Sequence, residues 1–372
     1  VDPTTPLGLL PLATQQMVAI CRAIDCRARI LILDEPTSSL DRRETDELFR
    51  TLRAARASDL AILLITHFLG QVYELADRIT VFRNGRRVGV WPTADLPPAA
   101  LIHAMTGRTF DAPSPTPETK SPPTAADASA PLLRVRNLAR RNVFEPASFD
   151  LHPGEALGLA GLLGSGRTEL AELLFGIRTP DTADLALADQ PFTPGSIPAA
   201  IKAGLAMTPE DRKAGGIIPE LSIRENIALA LQARQGILRP LSRARQKQLA
   251  DEYIRALGIR TPSAETPIRA LSGGNQQKVV LARWLATHPK VFILDEPTRG
   301  IDVGARSEIE SLLARLQREG LGLIVISSEL DELVRVCGRV LLLRDRAVIG
   351  ELAAPHLTVD TMLQRISAGA TA

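Results

Sequence analysis

Apolar runs alternate with amphipathic stretches along the second half of the chain. Residues 291–294 and 323–326 are short, continuously apolar runs, which is typical of strands buried on both faces of a sheet. A third run, residues 156–160, leads into a glycine-rich turn, and residues 168–174 after it have the spacing of a helix. Residues 219–257 are predicted to be mostly helical. The alternation predicts an α/β fold in which helices pack on a parallel sheet.

Residues 107–131 separate two parts of the chain. They are rich in Pro, Ser, Thr and Ala and have no apolar periodicity, which is typical of an extended, solvated linker. We therefore predict one domain over residues 1–106 and another over residues 132–372. The second is long enough to form a hydrophobic core of its own, and residues 132–135 are its first strand candidate.

One block of sequence occurs twice. Residues 271–302 read LSGGNQQKVVLARWLATHPKVFILDEPTRGID, and residues 10–41 have the same construction 261 positions earlier, without a gap. A period this long indicates a duplicated domain rather than a solenoid. The glycine-rich turn that begins at Gly161 would have its counterpart at position −100. We therefore expect the chain to begin inside its first copy.

Composition and charge narrow the class only slightly. Apolar residues make up 45% of the chain and charged residues 23%, as in ordinary globular proteins. The net charge of +2 does not indicate binding to nucleic acid. The apolar runs are far shorter than the roughly 20 residues that span a bilayer. Cys21, Cys26 and Cys337 form neither a CxxC pair nor a disulfide framework, which favours a reducing compartment. We expect all three to be small buried residues.

The glycine-rich turn fits the GxxxxGK[ST] spacing of a phosphate loop, with one departure. Its candidate nucleotide-binding residues are Gly161, Gly164, Ser165, Gly166, Arg167 and Thr168. Such a loop directs backbone N–H groups at phosphate oxygens, and the hydroxyl of Thr168 would bind Mg²⁺. Arg167 stands where the pattern has lysine, and its planar guanidinium would neutralise phosphate charge from a different position. We expect weaker nucleotide binding, or poor catalysis, in this half.

Each copy has an apolar strand that ends in two carboxylates. In the second copy Asp295 is a candidate Mg²⁺ ligand and Glu296 a candidate general base, and Asp34 and Glu35 are their counterparts in the first copy. Acidic residues that merely cap a buried strand are the alternative explanation. The repeat and the upstream phosphate loop favour the catalytic interpretation.

The two copies differ at two further places. At the position 33 residues after the first carboxylate, the first copy has His67 and the second has Ser328. The second copy has a glycine-rich helix start whose candidate phosphate contacts are Ser272, Gly273, Gly274 and Gln276, whereas residues 11–16 of the first copy lack the serine and both glycines. The first copy therefore has the histidine that the second lacks, and the second copy has the glycine-rich helix start that the first lacks.

These blocks resemble the ATP-binding subunits of ABC transporters, in particular the tandem-cassette subunits of ribose-, galactose- and xylose-type sugar importers. The resemblance is carried by LSGGNQQK, GLLGSGRTEL, TPEDRKAGGI and SIRENIAL. Two longer stretches, THFLGQVYELADRITVFRNG and LGIRTPSAETPIRALSGGNQQK, are most similar to galactofuranose-type importers. The resemblance implies P-loop NTPase cassettes, each with a parallel-sheet core and a helical subdomain. Residues 1–106 would then be the C-terminal part of a first cassette that lacks its phosphate loop, and residues 132–372 a complete second one.

The resemblance also implies which residues act. In such proteins two cassettes close head to tail, and each ATP lies between the phosphate loop of one and the signature of the other. The strand-end histidine, here His67, senses the γ-phosphate. Hydrolysis is then expected where Glu35 and His67 meet the signature at 272–276, while the other nucleotide is mainly structural. Glu210 falls where the family has its glutamine loop, which couples nucleotide to the membrane subunits; a solvated charged turn is the alternative.

The implied cofactors are ATP and Mg²⁺. The implied partners are integral membrane permease subunits and, through them, a periplasmic or extracellular sugar-binding protein, with no nucleic acid. The implied location is the cytoplasmic face of the inner membrane. Two alternatives remain open: a truncated remnant that binds nucleotide without hydrolysis, and a soluble tandem cassette that acts on ribosomes or damaged DNA. The second alternative would call for a long charged linker helix or zinc-type cysteine pairs, neither of which occurs in the sequence.

Overall fold

The computed structural model describes residues 2–10, 12–26, 28–34, 36–37, 42–56, 60–66, 69–83, 85–106, 130–162, 164–236 and 238–367. The chain divides into two compact units, residues 1–116 (unit 1) and residues 117–372 (unit 2). This division falls within the predicted linker. Each unit is described by itself.

Unit 1 contains four helices and four strands within its described residues. They are α1 (Leu12–Asp25), β1 (Ile30–Asp34), α2 (Arg42–Arg56), β2 (Ala61–Ile65), α3 (Leu69–Leu75), β3 (Arg78–Arg83), β4 (Arg86–Pro92) and α4 (Pro98–Thr106). Strands β1 and β2 are parallel, and β3 and β4 form an antiparallel hairpin. Leu48, Phe49 and Leu52 of the amphipathic helix α2 are buried with Leu31 and Leu33 of β1 and form the main apolar cluster of the unit.

Unit 2 is larger and begins with an antiparallel segment. Its elements are β5 (Leu133–Arg140), β6 (Phe144–Leu151), β7 (Ala156–Gly161), α5 (Arg167–Phe175), β8 (Thr182–Leu187), β9 (Gln190–Phe192), α6 (Ile197–Ala203), β10 (Leu205–Thr208), α7 (Ile223–Gln235), α8 (Arg243–Ala256), α9 (Gly273–Leu285), β11 (Val291–Asp295), α10 (Val303–Arg318), β12 (Gly322–Ile326), α11 (Leu330–Val336), β13 (Arg339–Arg344), β14 (Ala347–Ala353) and α12 (Val359–Ser367).

The core of unit 2 is a six-stranded sheet in the order β10-β11-β12-β7-β13-β14. The first five strands are parallel and only β14 runs antiparallel. All five residues of β11 and of β12 are buried, as their continuous apolar sequences predicted. The predicted α/β fold with a parallel-sheet core is therefore confirmed.

A second sheet covers one face of this core. It is antiparallel, in the order β6-β5-β8-β9, and its apolar side packs with α5 and with the central strands in one cluster. The sequence analysis anticipated only a short strand at 132–135 here. The other face of the core packs against α9, α10 and the helical pair α7 and α8.

The predicted helical stretch 219–257 is two helices. Helix α7 begins at a capping box formed by Ser222 and Glu225 and ends before Gly236. Helix α8 is capped by Ser242, whose side chain accepts a hydrogen bond from the backbone of Arg245. Between the two caps lies a loop, which the apolar pattern alone did not indicate.

The elements of unit 1 repeat in unit 2 with one uniform offset. Ile30–Asp34 corresponds to Val291–Asp295 and Ala61–Ile65 to Gly322–Ile326, each 261 positions apart. The remaining pairs, α2 with α10, α3 with α11, β3 with β13, β4 with β14 and α4 with α12, all begin with the same offset. The sequence repeat is therefore matched element by element in the fold.

One face of the β1–β2 pair is exposed within unit 1. Ile30, Ile32, Leu63 and Ile65 are 65%, 62%, 53% and 47% exposed. Their counterparts in unit 2, Val291, Ile293, Ile324 and Ile326, are buried beneath α5 and the antiparallel sheet. The β1–β2 pair therefore has one exposed apolar face in unit 1, whereas the corresponding face of β11 and β12 is covered in unit 2.

Two smaller expectations concern cysteines and membranes. Cys337 is buried, but Cys21 on α1 and Cys26 just after it are exposed, so the prediction that all three are buried is wrong for these two. Within the described ranges, no helix combines the length and the apolar composition that crossing a bilayer requires.

Candidate functional site

The glycine-rich turn lies at the carboxyl end of β7, directly before α5. Gly164 and Gly166 have φ angles of 78° and 99°, in the left-handed region that glycine adopts without strain. A Cβ atom on Gly161 would lie 2.3 Å from the Ser165 Oγ and 2.5 Å from the carbonyl oxygen of Leu343. The turn therefore needs glycine for both conformation and space. The N-terminus of α5 is directed at the same place, where it favours anions.

Substituting alanine for Gly166 is expected to destabilise unit 2 by about 2 kcal/mol or more and to abolish nucleotide binding there. An added Cβ would lie 2.7 Å from the Phe144 ring and 3.0 Å from the Cα of Arg346, at a φ of 99°. Thermal unfolding and titration with a fluorescent ATP analogue measure the two effects. Gly195→Ala is the matched control, because a Cβ there meets nothing within 4 Å. Equal behaviour of the two variants would contradict the steric argument.

Thr168 and Asp295 meet at the centre of the site. The Thr168 hydroxyl donates a hydrogen bond to the Asp295 Oδ2 at 2.9 Å, across 127 residues of sequence. Asp295 is only 1% exposed, and burial raises its pKa to about 7. The Asp295 Oδ1 and the Ser165 Oγ are both buried and have no hydrogen-bond partner among the described residues. The Thr168–Asp295 pair therefore keeps one carboxylate oxygen, the Asp295 Oδ1, without a partner among the described residues.

This donor set fits Mg²⁺ held together with nucleotide phosphates. Mg²⁺ prefers hard oxygen ligands and is usually held by one or two carboxylates plus substrate phosphates rather than by a cage of protein side chains. Among the described residues, no group of three or more His, Cys, Asp or Glu side chains is placed to hold a metal by itself. Thr168 and Asp295 would hold the ion, which when bound would neutralise charge on the transferred phosphoryl group.

Glu296 follows Asp295 and is also buried. Its Oε1 accepts a hydrogen bond from the Ser328 backbone N–H at 2.7 Å, and its Oε2 accepts one from the Ser328 hydroxyl at 3.1 Å. Burial raises the pKa of Glu296, while Arg167 and Ser328 act in the opposite direction. Glu296 has a φ of 49°, so its backbone is held in a sparsely populated region. Both carboxylate oxygens are therefore engaged by Ser328.

The Arg167 side chain contacts the ends of the neighbouring strands β12 and β11. Its Nη1 donates a hydrogen bond to the carbonyl oxygen of Ser327 at 2.8 Å and lies 3.9 Å from the Glu296 Oε1. The Arg167 side chain is only 11% exposed. That Arg167 neutralises phosphate charge from a different position than lysine stays a prediction. The contact with Ser327 was not anticipated from the sequence.

The signature residues begin α9. Ser272 is the N-cap and Gly273 the first helical residue, as the motif predicted. A Cβ on Gly274 would lie 2.4 Å from the Ala305 Cβ, so this glycine is required for packing against α10. Gln276 is buried and donates hydrogen bonds to the carbonyl oxygens of Ile268 and Leu271. Gln276 therefore fixes the preceding turn, which is a structural role in addition to the predicted phosphate contact.

The predicted coupling segment packs against the signature. Glu210 forms an exposed ion pair with Arg299, and Asp211 caps the following turn through the backbone N–H groups of Lys213 and Ala214. The Arg212 Nε is buried without a hydrogen-bond partner among the described residues, and a Cβ on Gly273 would lie 3.1 Å from the Arg212 Nη2. The contact between Arg212 and the signature could not be inferred from the sequence.

Several predicted residues of the first copy cannot be assigned geometry. Glu35, His67 and Pro11 lie outside the described residues. Asp34 is the last residue of β1 and is exposed. In unit 2 the structure places the described glycines of the turn at the end of β7 and brings Thr168 together with Asp295 and Glu296. The site residues predicted in the first copy stay predictions.

Comparison with known proteins identifies the family. Residues 144–299 match the ABC transporter family. The chain is 48% identical to the galactofuranose transporter ATP-binding protein YtfR of Escherichia coli O157:H7 over 367 residues, which cover 99% of this chain and 73% of that protein. The chain belongs to the ATP-binding subunits of sugar-import ABC transporters. The subunit is also 46% identical to the ribose import ATP-binding protein RbsA 2 of Burkholderia pseudomallei, over 94% of this chain and 67% of that protein.

A further relative and the solved structures agree with this family. The subunit is 42% identical to the fructose import ATP-binding protein FruK of Bifidobacterium longum, over 95% of this chain and 69% of that protein. It superposes on the ATP-binding cassette MJ1267 with a TM-score of 0.55 at 18% identity, covering 64% of this chain and 99% of that one. A nucleotide-free cassette of an ABC transporter gives a TM-score of 0.53 at 17% identity, covering 64% of this chain and 95% of that one. At these identities the structural likeness establishes the fold.

Proposed function

We propose that this subunit binds and hydrolyses ATP to energise the import of a carbohydrate. The observation that carries the proposal is the convergence of the phosphate loop, the Thr168–Asp295 pair and Glu296 at one end of the unit 2 sheet. Convergence of this kind at the carboxyl ends of parallel strands is where α/β proteins bind nucleotides. The similarity to sugar-import subunits along nearly the whole chain supports the transport role.

In unit 2 we assign nucleotide binding to the backbone of residues 161–166 and to the N-terminus of α5. The Ser165 and Thr168 hydroxyls and the Asp295 carboxylate complete a polar site at its base. Positioning and charge neutralisation are the main contributions that a protein makes to phosphoryl transfer. These residues therefore hold the nucleotide, and the rate of its hydrolysis is set by the group that orients water.

We propose that the unit 2 site retains nucleotide and hydrolyses it slowly. A general base must have a free lone pair within reach of the attacking water. Burial raises the pKa of Glu296, but both of its oxygens accept hydrogen bonds from Ser328 and Arg167 lies 3.9 Å away, so the carboxylate is held in one orientation instead of being free to turn toward water. Ser328 also cannot take the charge that a histidine at this position could carry. These three residues together favour a binding role over a turnover role.

We assign rapid hydrolysis to the first copy, with Glu35 as the general base and His67 as the γ-phosphate sensor. The support is the sequence register: Glu35 is the counterpart of Glu296, and His67 the counterpart of Ser328, each at the common offset of 261. We further propose that residues 1–106 and 132–372 are two copies of one cassette. Their elements share this offset throughout, which supports the duplication.

We propose galactofuranose or a related sugar as the transported substrate, because the protein that is 48% identical is a galactofuranose transporter component. Other relatives act in ribose or fructose import, so the sugar class is better supported than the individual sugar. The proposed partners are integral membrane permease subunits and an external sugar-binding protein. The proposed location is the cytoplasmic face of the inner membrane.

The test is ATP hydrolysis by the subunit assembled with its permease in proteoliposomes. Adding the sugar-binding protein with its sugar bound is expected to raise the hydrolysis rate several-fold. Galactofuranose is expected to accumulate on the side of the membrane that contains the ATP-binding subunit and ATP. A rate that no sugar changes, with no uptake, would contradict the transport role. A binding-only remnant is less well supported, because the similarity to transport subunits extends over 99% of the chain.

A further inference from the structure

The described residues between α7 and α8, Gly236 and 238–242 (hereafter the α7–α8 loop), are held by the side chain of Gln232. The Gln232 Nε2 donates hydrogen bonds to the carbonyl oxygens of Gly236 at 2.9 Å and Arg239 at 3.3 Å. The Gln232 Oε1 accepts a hydrogen bond from the Leu241 N–H at 2.7 Å. Leu241 is buried, so the loop is anchored at its far end as well. Gly236, Arg239 and Leu241 are therefore held in place by the fold.

This anchored loop presents an apolar side chain to solvent. Leu238 is 96% exposed, more than any other large apolar residue in the described part of the chain. Exposing a leucine that could be covered forfeits about 1.5–3 kcal/mol of burial free energy. A leucine held outward by a hydrogen-bonded loop is placed for contact with something outside the protein.

The sequence on both sides of Leu238 contains basic but no acidic residues. No Asp or Glu occurs from residue 226 to residue 250, and the basic residues of this stretch are all exposed. They are Arg234, Arg239, Arg243, Arg245 and Lys247. Across the described residues the carboxylate nearest to any of them is that of Glu265, 3.6 Å from Arg243, with both side chains well exposed. An exposed pair of this kind compensates little charge.

The placement of two of these arginines is unfavourable for the fold itself. Arg243 and Arg245 lie in the first turn of α8, which has no acidic residue. The N-terminus of a helix carries partial positive charge and disfavours cations by about 0.3–1 kcal/mol each. The arginines and the N-terminus of α8 are therefore all positively charged, and an anion from outside the protein would reduce the repulsion between them.

We propose that the α7–α8 loop is a peripheral contact with a bilayer that contains anionic lipids. Leu238 enters the boundary between headgroups and acyl chains, while Arg239, Arg243 and Arg245 pair with lipid phosphates. Combined apolar insertion and basic charge is how proteins lie on anionic membranes. A loop with one protruding leucine is too small for a stable protein interface, which buries about 800 Å² per partner. The contact requires neither ATP nor its hydrolysis.

Vesicle flotation of the whole protein tests the proposal. The protein is expected to bind vesicles of phosphatidylcholine mixed with phosphatidylglycerol and to bind pure phosphatidylcholine much less. Each Arg→Gln change at 239, 243 or 245 lowers the apparent affinity about fivefold, and the triple variant about a hundredfold. Leu238→Ser lowers it about tenfold. High salt releases the protein, because it screens the arginines.

Matched variants separate this surface from general effects. Arg134→Gln, Arg141→Gln and Arg318→Gln remove the same net charge from exposed positions elsewhere in unit 2 and are expected to leave vesicle binding unchanged. Circular dichroism checks that every variant is folded. Wild-type affinity in the loop triple variant, or equal losses in both triple variants, overturns the proposal. The loop variants could also bind lipid normally but no longer bind the permease. That result would assign the loop to a protein partner and would also overturn the proposal.

Discussion

Replacing Glu35 with glutamine is expected to lower ATP turnover by the assembled transporter about a hundredfold or more, since a positioned general base contributes about 10²–10⁴ in rate. Glutamine keeps the size of the side chain but cannot take a proton from water. The measurement is steady-state phosphate release by the subunit reconstituted with its permease. Nucleotide affinity is measured alongside, and it should change little, because the glutamate acts on water rather than on the nucleotide.

The matched variant is Glu296→Gln, at the counterpart position in unit 2. Turnover is expected to fall by no more than about threefold, because two hydrogen bonds from Ser328 hold the Glu296 carboxylate in one orientation and we assign rapid hydrolysis to the first copy. Equal losses in the two variants would contradict the asymmetric assignment. A larger loss at Glu296 would reverse it.

Replacing Asp295 with asparagine is expected to have opposite effects on stability and on binding. The Asp295 carboxylate is buried, and burial raises its pKa from 3.8 to about 7, so its ionised form destabilises the folded protein above neutral pH. The amide removes that charge and should raise the unfolding free energy of the nucleotide-free protein by about 2 kcal/mol at about pH 8. Affinity for MgATP in unit 2 should fall about tenfold or more, because an oxygen ligand of the ion is lost.

The pH dependence gives a second check on Asp295. Its pKa in the folded protein lies above its ordinary value, so the protonated carboxyl contributes stability below about pH 4, and this contribution is lost as the pH rises through about 7. The stabilisation by asparagine should therefore shrink as the pH falls from about 8 to about 4.5. Calorimetric melting follows it, with Asp345→Asn as the control, since the Asp345 side chain is 92% exposed. A gain that is independent of pH would show that the charge of Asp295 is not its cause.

The sequence predicted the parts of the fold that depend on continuous apolar runs. Strands β11 and β12 and the glycine turn before α5 lie where the pattern indicated them, because a buried parallel strand allows few polar residues. The antiparallel sheet was largely missed, since its strands alternate buried and exposed positions and pair by register rather than by composition. The break between α7 and α8 was missed for a related reason: a short capped loop hardly disturbs helical periodicity.

The candidate site was predicted at the level of residue identity and not of contact. Motif spacing indicated Thr168, Asp295 and Glu296, and the structure brings these three together. It could not indicate that Arg167 binds the Ser327 carbonyl or that Ser328 engages both oxygens of Glu296. Such contacts join residues more than thirty positions apart, and they depend on side-chain directions that only the folded sheet fixes.

The uniform offset between the helices and strands of the two units has a consequence for how the role of a single side chain can be tested. Where two strands correspond residue for residue, as Ile30–Asp34 and Val291–Asp295 do, a single side chain can be exchanged without rebuilding the scaffold. Exchanging residues between positions that lie 261 apart then tests a side chain in each of two similar backbone settings. Each half serves as the reference state against which a change in the other can be measured.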